Sequence, residues 1–221
     1  MFDKLLQIIA PHYCYSCQKK NSILCESCIY NITIDTKNCC IECRKPNLDG
    51  TCYACETGYS KSWVVADREG ELARLLHDYK WNGAFEARLV LASLLNNTLP
   101  LLPDNTVIVP IPTIPRHRRI RGYDHADLLA QSFADLRNLP KKSLLQRRTN
   151  SVQHTADRAQ RIAQAEKAFY CSQKVKSSDI YLVVDDIITT GSTVSAAASV
   201  LRQAGASEVW VAAVARQPFQ V

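Results

Sequence analysis

Two adjacent carboxylates follow an apolar run near the C-terminus, and a turn of small polar residues comes after them. The segment 181–193 reads YLVVDDIITTGST. Ligands of α/β sheets bind outside the carboxyl ends of the strands, where these carboxylates can accept hydrogen bonds from two ribose hydroxyls. The turn opens a predicted helix, whose first N–H groups suit a phosphate, and Gly191 allows a close backbone approach. The segment predicts a phosphorylated-sugar site formed by Asp185, Asp186, Thr189, Thr190, Gly191, Ser192 and Thr193.

Nine of the ten cysteines lie between residues 14 and 55, and eight of them form Cys-x-x-Cys pairs. Each pair can turn two thiolates toward one centre, and two pairs complete the tetrahedral sulfur shell that zinc prefers. Such a shell leaves no open position for water, so the predicted role of zinc is structural. The predicted metal ligands are Cys14, Cys17, Cys25, Cys28, Cys40, Cys43, Cys52 and Cys55.

Spacing alone does not decide how these pairs combine. Sequential pairing closes the shorter loops and costs less chain entropy, which favours it over a cross-braced arrangement. Cys39 stands beside Cys40, and the spacing to Cys43 favours Cys40 as the ligand. Cys171 is isolated and is expected to be an ordinary core or edge thiol.

Beyond the cysteines, strands and helices alternate along the chain. Apolar and β-branched runs predict strands at 62–66, 106–111, 143–146, 180–184 and 208–213. Helical periodicity predicts helices at 71–80, 85–97, 125–136, 157–167 and 192–204. This succession predicts an α/β fold, with a parallel sheet flanked by helices at 61–221 and an N-terminal zinc-ribbon module with four-cysteine sites at 1–60.

Composition and charge narrow the function classes. With 47% hydrophobic residues among 221, the chain can fill a core, which excludes a disordered or fibrous protein. The net charge is +6, and residues 116–161 hold eleven Lys/Arg against four Asp/Glu, whereas residues 1–60 carry six of each sign. A concentrated basic surface attracts polyanions. The predicted nucleic-acid contacts are Arg118, Arg119, Arg121, Tyr123, Arg147 and Arg148, with His117, His125 and His154 as further stacking groups.

The N-terminal segment 1–11 is too short to span a bilayer and lacks the features of a signal peptide. Its apolar spacing predicts a short amphipathic helix packed on the body. The expected location is therefore the cytoplasm, where thiols stay reduced and paired cysteines favour metal over disulfides.

The segment 181–193 resembles the phosphoribosyl-pyrophosphate (PRPP) loop of type I phosphoribosyltransferases at every position. Together with the cysteine pairs, it makes the whole chain similar to the ComF (ComFC/GntX-like) family. Further matching segments are Leu76-His77-Asp78-Tyr79-Lys80, Val109-Pro110-Ile111-Pro112, Arg121-Gly122-Tyr123 and Arg147-Arg148-Thr149. The family's usual Gly-Phe-Asn-Gln reads Gly122-Tyr123-Asp124-His125 in this chain, a departure that removes an amide pair.

The resemblance implies roles for several side chains. Asp185 and Asp186 would hold the ribose 2′- and 3′-hydroxyls, and Thr189 to Thr193 would hold the 5′-phosphate. Magnesium would accompany PRPP. The implied pyrophosphate contacts are Arg116, Arg118, Arg119, Arg121 and Lys80, since guanidinium groups bind phosphate oxygens bidentately. The implied mobile loop includes Gln153, His154, Arg158 and Arg161.

Three functions follow as hypotheses, and no catalytic residue is assigned. The first is a ComF-like competence protein that handles single-stranded DNA during natural transformation and carries a PRPP-binding pocket, with other transformation proteins as partners. The second is an active Mg-dependent phosphoribosyltransferase with an unidentified nitrogen nucleophile. The third is a regulatory protein that senses PRPP.

Overall fold

The computed structural model describes residues 13–34, 39–47, 49–55, 57–148 and 168–218. The helices are α1 (Glu26–Ile34), α2 (Gly70–Trp81), α3 (Ala87–Thr98), α4 (Pro115–Arg121), α5 (His125–Arg137) and α6 (Ser192–Gln203). The strands are β1 (Lys61–Asp67), β2 (Thr106–Pro110), β3 (Leu145–Arg147), β4 (Phe169–Cys171), β5 (Ile180–Ile188) and β6 (Glu208–Arg216).

The central sheet has the strand order β1-β6-β5-β2, and all its pairings are parallel. Strands β3 and β4 form a separate antiparallel ribbon. The central strands are nearly continuous apolar runs, as expected of a parallel sheet that is covered on both faces. The predicted fold class is confirmed: a parallel sheet flanked by helices follows two N-terminal clusters of four cysteines each.

Alternating residues of the strands pack into two separate hydrophobic cores, one on each face of the sheet. On β5, Leu182 and Val184 join the core made with α2, α3 and α5, whereas Tyr181 and Val183 join the core made with α6. This alternation follows from the two-residue repeat of a strand. The arrangement makes three layers, with the sheet in the middle.

The cysteine region packs against both cores. Cys14, Cys25 and Cys28 belong to the first core, and Ile41 belongs to the second. The N–H of Ser62 on the edge strand β1 donates to the carbonyl of Gly50 at 2.8 Å. This hydrogen bond satisfies part of the open edge of the sheet. The proposed domain boundary after residue 60 stays a prediction.

Four elements differ from the sequence prediction. Strand β5 extends to Ile188 and so contains both aspartates, whereas the prediction ended it at residue 184. Helix α4, helix α1 and strand β4 were not predicted, because each is short and has little periodicity of its own. The helices predicted at 1–11 and 157–167 lie outside the described residues.

Within the described part of the chain, no helix combines the length and apolar character that a membrane span requires.

Candidate functional site

Each four-cysteine cluster has the dimensions of a metal centre. In both clusters the four Sγ atoms lie within 4.8 Å of one another. The Sγ atoms of Cys17 and Cys25 are 3.6 Å apart, and so are those of Cys43 and Cys52. A tetrahedral shell with Zn–S bonds of about 2.3 Å has edges of about 3.8 Å, so both clusters fit zinc.

The structure confirms the sequential pairing of the cysteine pairs, which the smaller entropy cost of short loops favoured. Cys14, Cys17, Cys25 and Cys28 form one group, and Cys40, Cys43, Cys52 and Cys55 form the other. Cys39 lies outside both groups, and its Sγ accepts a hydrogen bond from the guanidinium of Arg216.

The thiols of one cluster cannot all ionise without a cation. A backbone N–H from Lys45 lowers the pKa of Cys43 to about 7. The neighbouring Cys43 sulfur, together with burial, raises the pKa of Cys55 to about 12. A bound dication removes this conflict, because zinc coordinates thiolates.

The turn from Thr189 to Thr193, which we call the phosphate turn, packs against the loop that carries Cys40 and Cys43. Gly191 is the N-cap of α6 and has φ of +79°, a conformation that favours glycine. A Cβ at this position would lie 3.3 Å from a methyl of Ile41. The hydroxyl of Ser195, one turn into α6, donates to Glu42 at 2.8 Å. The loop that carries Cys40 and Cys43 therefore fixes the outer side of the turn.

Asp186 is the charged centre of the sheet edge. Its side chain is buried, and its two carboxylate oxygens lie 2.9 Å from Lys80 Nζ and 3.0 Å from His125 Nε2. Burial alone would raise the pKa of Asp186, but Lys80 and His125 hold it below its usual range. Arg121 Nη1 lies 2.7 Å from His125 Nδ1. Asp186 Oδ2, although 3.0 Å from His125 Nε2, is a buried oxygen without a hydrogen-bond partner among the described residues.

Asp185 has a different environment because it projects from the opposite face of β5. Its side chain is half-buried, and its Oδ1 accepts the N–H of Asp186 at 2.9 Å. Burial and the charge of Asp186 raise the pKa of Asp185. Of the two predicted sugar-binding carboxylates, therefore, Asp186 forms an ion pair with Lys80, while Asp185 has no ion pair among the described residues.

Both aspartates border a cavity of about 370 Å³, which we call the sugar-phosphate cavity. Its wall brings together groups that were predicted from distant segments of the sequence: Lys80, His117, Arg121, Arg147, Asp185, Asp186, Thr189 and Thr193. Thr190 and Ser192 lie beside it in the turn, with their hydroxyls 2.9 Å apart. The predicted sugar-phosphate residues are thus gathered at one edge of the sheet, while their roles stay predictions.

Helix α4 divides the predicted pyrophosphate arginines between two sides. Arg121 faces the sugar-phosphate cavity and stacks on Trp81, with 4.1 Å from its guanidinium carbon to the ring centre. Arg118 faces a second cavity of about 680 Å³, which we call the basic groove, and Arg119 borders a shallower depression beside it. Arg116 is exposed. The structure therefore does not bring all four arginines to one anion.

The other predicted nucleic-acid contacts are also divided. Arg147 stacks on Phe169 at 4.7 Å and lines the basic groove, and Arg148 lies over Tyr170 at 5.4 Å. Tyr123 also lines the basic groove, and its hydroxyl donates to the carbonyl of Tyr79. His154 and the other predicted mobile-loop residues, Gln153, Arg158 and Arg161, lie outside the described residues.

Two functional features were not found from the sequence. Trp81 belongs to none of the motifs in the sequence, yet it is 47% exposed at the rim of the sugar-phosphate cavity. His125 was a candidate for base stacking, but it is buried against Asp186. The sequence did contain one signal for this role: His125 is the first residue of α5 and follows the arginine-rich segment of α4.

The fold and site define an α/β protein with two four-cysteine centres and a turn of small polar residues, Thr189 to Thr193, at the sheet edge. No family model matches the chain. The DNA utilization protein YhgH of Salmonella typhimurium is 30% identical over 184 residues, which cover 78% of this chain and 80% of that protein. Competence protein F of Haemophilus influenzae is 28% identical over 229 residues, covering 96% and 93% respectively.

Competence protein ComFC of Streptococcus pneumoniae is 26% identical over 194 residues and covers 86% of each chain. The chain belongs to the ComF family, whose relatives carry these competence and DNA-utilization names. A solved structure of the allosteric regulatory enzyme of purine biosynthesis is 21% identical, with a TM-score of 0.40, over 57% of this chain and 25% of that one. This similarity supports no inference about the chain.

Metal analysis of the purified protein should find two zinc ions per chain. Substitution Cys55→Ser should reduce the content to about one, because it removes a ligand from a single cluster. Cys39→Ser is the matched control and should retain two, since Cys39 belongs to neither cluster. Equal zinc loss in both variants would contradict the assigned ligands.

Asp185 should destabilise the ligand-free protein at neutral pH. The unfolded chain ionises this carboxyl near pH 4, whereas the folded chain does so only at higher pH, because its folded pKa is raised. The folded state therefore loses stability as the pH rises above about 4. Asp185→Asn removes this loss and should increase the free energy of unfolding by about 1–3 kcal/mol at pH 7.

Urea denaturation between about pH 5 and pH 8 measures this effect. The difference between variant and parent should widen as the pH rises, because only the parent carries the raised carboxyl. Asp104→Asn, at an exposed position, is the control and should differ little at any pH. A variant that is less stable than the parent at pH 7 would contradict the assigned environment of Asp185.

Proposed function

We propose that this chain handles DNA in the cytoplasm during natural transformation, together with other proteins of that process. In this proposal it binds single-stranded DNA along the basic groove and a phosphorylated ribose, such as PRPP, in the sugar-phosphate cavity. The observation that carries the proposal is that these two anion-binding surfaces share one wall, formed by Ile111, Pro112, Thr113 and Arg147.

The basic groove is lined by two arginines, Arg118 and Arg147, and by two carboxylates, Asp124 and Asp127. Arg118 and Arg147 make no ion pair with the described part of the chain, and the same holds for Arg119 and Arg148 at its margins. Lys141 pairs with Asp127 at 2.6 Å and offsets its charge. Asp124 accepts from the Thr113 hydroxyl at 2.7 Å, which satisfies this carboxylate but leaves its negative charge in place. The four arginines exceed that remaining charge, so the groove can attract phosphates from outside the protein.

Single-stranded DNA suits this surface better than duplex. Arg147 and Arg148 each lie over an aromatic ring of the β3–β4 ribbon, and an arginine stacked in this way presents a flat face to a nucleobase. Bases become accessible to such groups only where they are unpaired. The competence and DNA-utilization names of the relatives support DNA as the polymer.

The sugar-phosphate cavity supports a ligand that carries both hydroxyl and phosphate groups. The turn from Thr189 to Thr193 offers N–H and hydroxyl donors to a phosphate. Arg121 and Arg147 add positive charge to the same wall. Asp185 is the described carboxylate available to a sugar hydroxyl, and magnesium would enter with the pyrophosphate of PRPP.

Substitution of the groove arginines should weaken binding to single-stranded DNA. We expect Arg118→Gln/Arg119→Gln to lower the affinity for a labelled oligo-dT about tenfold at low salt. The slope of log affinity against log salt should become shallower by about 1.4, since each lost phosphate contact contributes about 0.7. Fluorescence anisotropy across a salt series measures both quantities.

Lys19→Gln/Lys20→Gln is the charge-matched control, because both lysines are exposed on the first cysteine cluster, far along the chain from α4. It should alter the affinity much less. Equal losses in the two double variants would mean that net charge, and not the basic groove, determines DNA binding. Absence of any binding at low salt would overturn the DNA part of the proposal.

PRPP with magnesium should raise the melting temperature of the protein. Ligand at a hundred times its Kd contributes about 2.7 kcal/mol. Asp185→Asn should weaken PRPP about threefold to tenfold, because it replaces one of the two carboxyl oxygens that can accept from the sugar hydroxyls by an amide donor. Pyrophosphate with magnesium has no sugar and serves as the control ligand; its effect should be the same in both proteins.

A further inference from the structure

The loop at residues 40–45, which we call the knuckle loop, carries two ligands of the second cysteine cluster and touches the phosphate turn. Ile41 packs so closely on Gly191 that a Cβ there would lie 3.3 Å from its methyl group. Glu42 accepts a hydrogen bond from the hydroxyl of Ser195 at 2.8 Å. The knuckle loop therefore supports the first turn of α6, where the backbone donors to a phosphate lie.

A second contact joins the knuckle loop to another part of the cavity wall. Arg44 Nη2 donates to the carbonyl of Gln217 at 2.7 Å. The N–H of Gln217 donates in turn to the carbonyl of Ile188, at the end of β5, at 2.7 Å. Gln217 lines the sugar-phosphate cavity. One loop thus supports both the phosphate turn and the adjacent wall formed by the end of β6.

The conformation of the knuckle loop is built around a cysteine sulfur. The N–H of Cys40 donates to the carbonyl of Lys45 at 2.9 Å, and the N–H of Glu42 donates to the Cys40 Sγ at 3.3 Å. Arg44 has φ of +58°, a conformation that non-glycine residues rarely adopt. Small metal sites gain their fold from metal binding. Without zinc, therefore, the knuckle loop loses the conformation that presents Ile41 and Glu42 to α6.

The first cysteine cluster has different neighbours. The hydroxyl of Tyr15, between two of its ligands, donates to Asp78 of α2 at 2.6 Å. Helix α2 is held independently by the first hydrophobic core, through Leu75 and Leu76. Of the described residues 14–28, none makes a hydrogen bond to the phosphate turn or to Gln217. The two clusters are therefore not equivalent with respect to the cavity.

The clusters also differ in their exposure. Three of the four cysteines in the second cluster are half-buried, namely Cys43, Cys52 and Cys55, whereas three of the four in the first cluster are fully buried. A competing ligand in solution reaches the second cluster more easily. Its metal is therefore the one whose occupancy can follow the supply of zinc.

We propose that zinc in the second cluster is an allosteric effector of the sugar-phosphate cavity. When the metal is bound, the knuckle loop holds the phosphate turn and Gln217 in the conformation that accepts a sugar phosphate. When the metal is lost, this support is lost and the affinity falls by about tenfold, a typical size for allosteric coupling. The inference rests on the proposed function for the ligand of the cavity, and it adds zinc supply as the regulator of binding.

Hydrogen exchange of the ligand-free, full-length protein tests the coupling without any ligand. Cys55→Ser should raise the exchange rates of the amides at 191–196 about tenfold, because the knuckle loop no longer supports them. Cys17→Ser, which removes a ligand of the first cluster, is the matched control and should leave these rates unchanged. Equal rates in all three proteins, or equal increases in both variants, would overturn the inference.

Ser195→Ala separates the contact with Glu42 from metal loss. This variant should retain two zinc ions and should weaken the binding of PRPP with magnesium about threefold. In the Cys55→Ser background the same substitution should cause no further loss, since the contact is already broken. A further threefold loss in that background would show that the contact acts independently of the metal, and would contradict the proposed route of coupling.

Allosteric coupling is reciprocal, so a ligand of the cavity must strengthen zinc binding by the same factor. Zinc transfer to a colorimetric chelator measures this effect. PRPP with magnesium should increase the affinity of the parent for its more weakly held zinc ion about tenfold. It should have no such effect on the zinc that remains in Cys55→Ser. Equal effects on the two proteins would assign the coupling to the wrong cluster.

These measurements separate failure of the inference from failure of the proposed function. If PRPP binds the parent and Cys55→Ser equally well, the inference is wrong and the proposed ligand stands. If PRPP does not bind the parent but Cys55→Ser still accelerates exchange at 191–196, the ligand is wrong and the coupling of the metal to the turn stands. If neither effect is seen, both are wrong. PRPP affinity that falls about tenfold in Cys55→Ser and is retained in Cys17→Ser supports the inference in full.

Discussion

The buried carboxylate of Asp186 is the constraint on which the functional edge of the sheet depends. It contributes one oxygen to Lys80 at the end of α2 and one to His125 at the start of α5. Because an unpaired charge at this depth is strongly unfavourable, these two helices must end and begin where they do relative to β5. Arg121 then contacts His125, and α4 is positioned through that contact. One ion cluster thus joins four elements around the cavity.

Local patterns were enough to predict the fold and the grouping of the eight cysteines. The cysteine pairs and the segment 181–193 each specify their geometry within a few residues, so spacing alone indicates it. The apolar runs of β2, β5 and β6 are long enough to predict a covered parallel sheet. The predicted end of β5 was early because Asp185 and Asp186 are polar, although both still take part in the strand.

Contacts between distant segments determine the features of the site that could not be predicted from the sequence. Nothing in the sequence near Asp186 indicates that Lys80 and His125 will lie against it. Two equivalent sugar ligands were therefore predicted, whereas the structure gives the two carboxylates different environments. The faces of α4 are a similar case. Seven residues with four arginines give no apolar stripe, and only packing against Trp81 sends Arg121 to one side and Arg118 to the other.

The packing of Ile41 and Glu42 against Gly191 and Ser195 also limits how this protein can change. The loop between two cysteine ligands and the phosphate turn form one complementary surface, although they lie about 150 residues apart in the chain. A cysteine module transplanted from a distant relative would meet the wrong side chains at α6. The two parts are therefore expected to be inherited together, and a chimera that keeps this contact intact has the better prospect of folding.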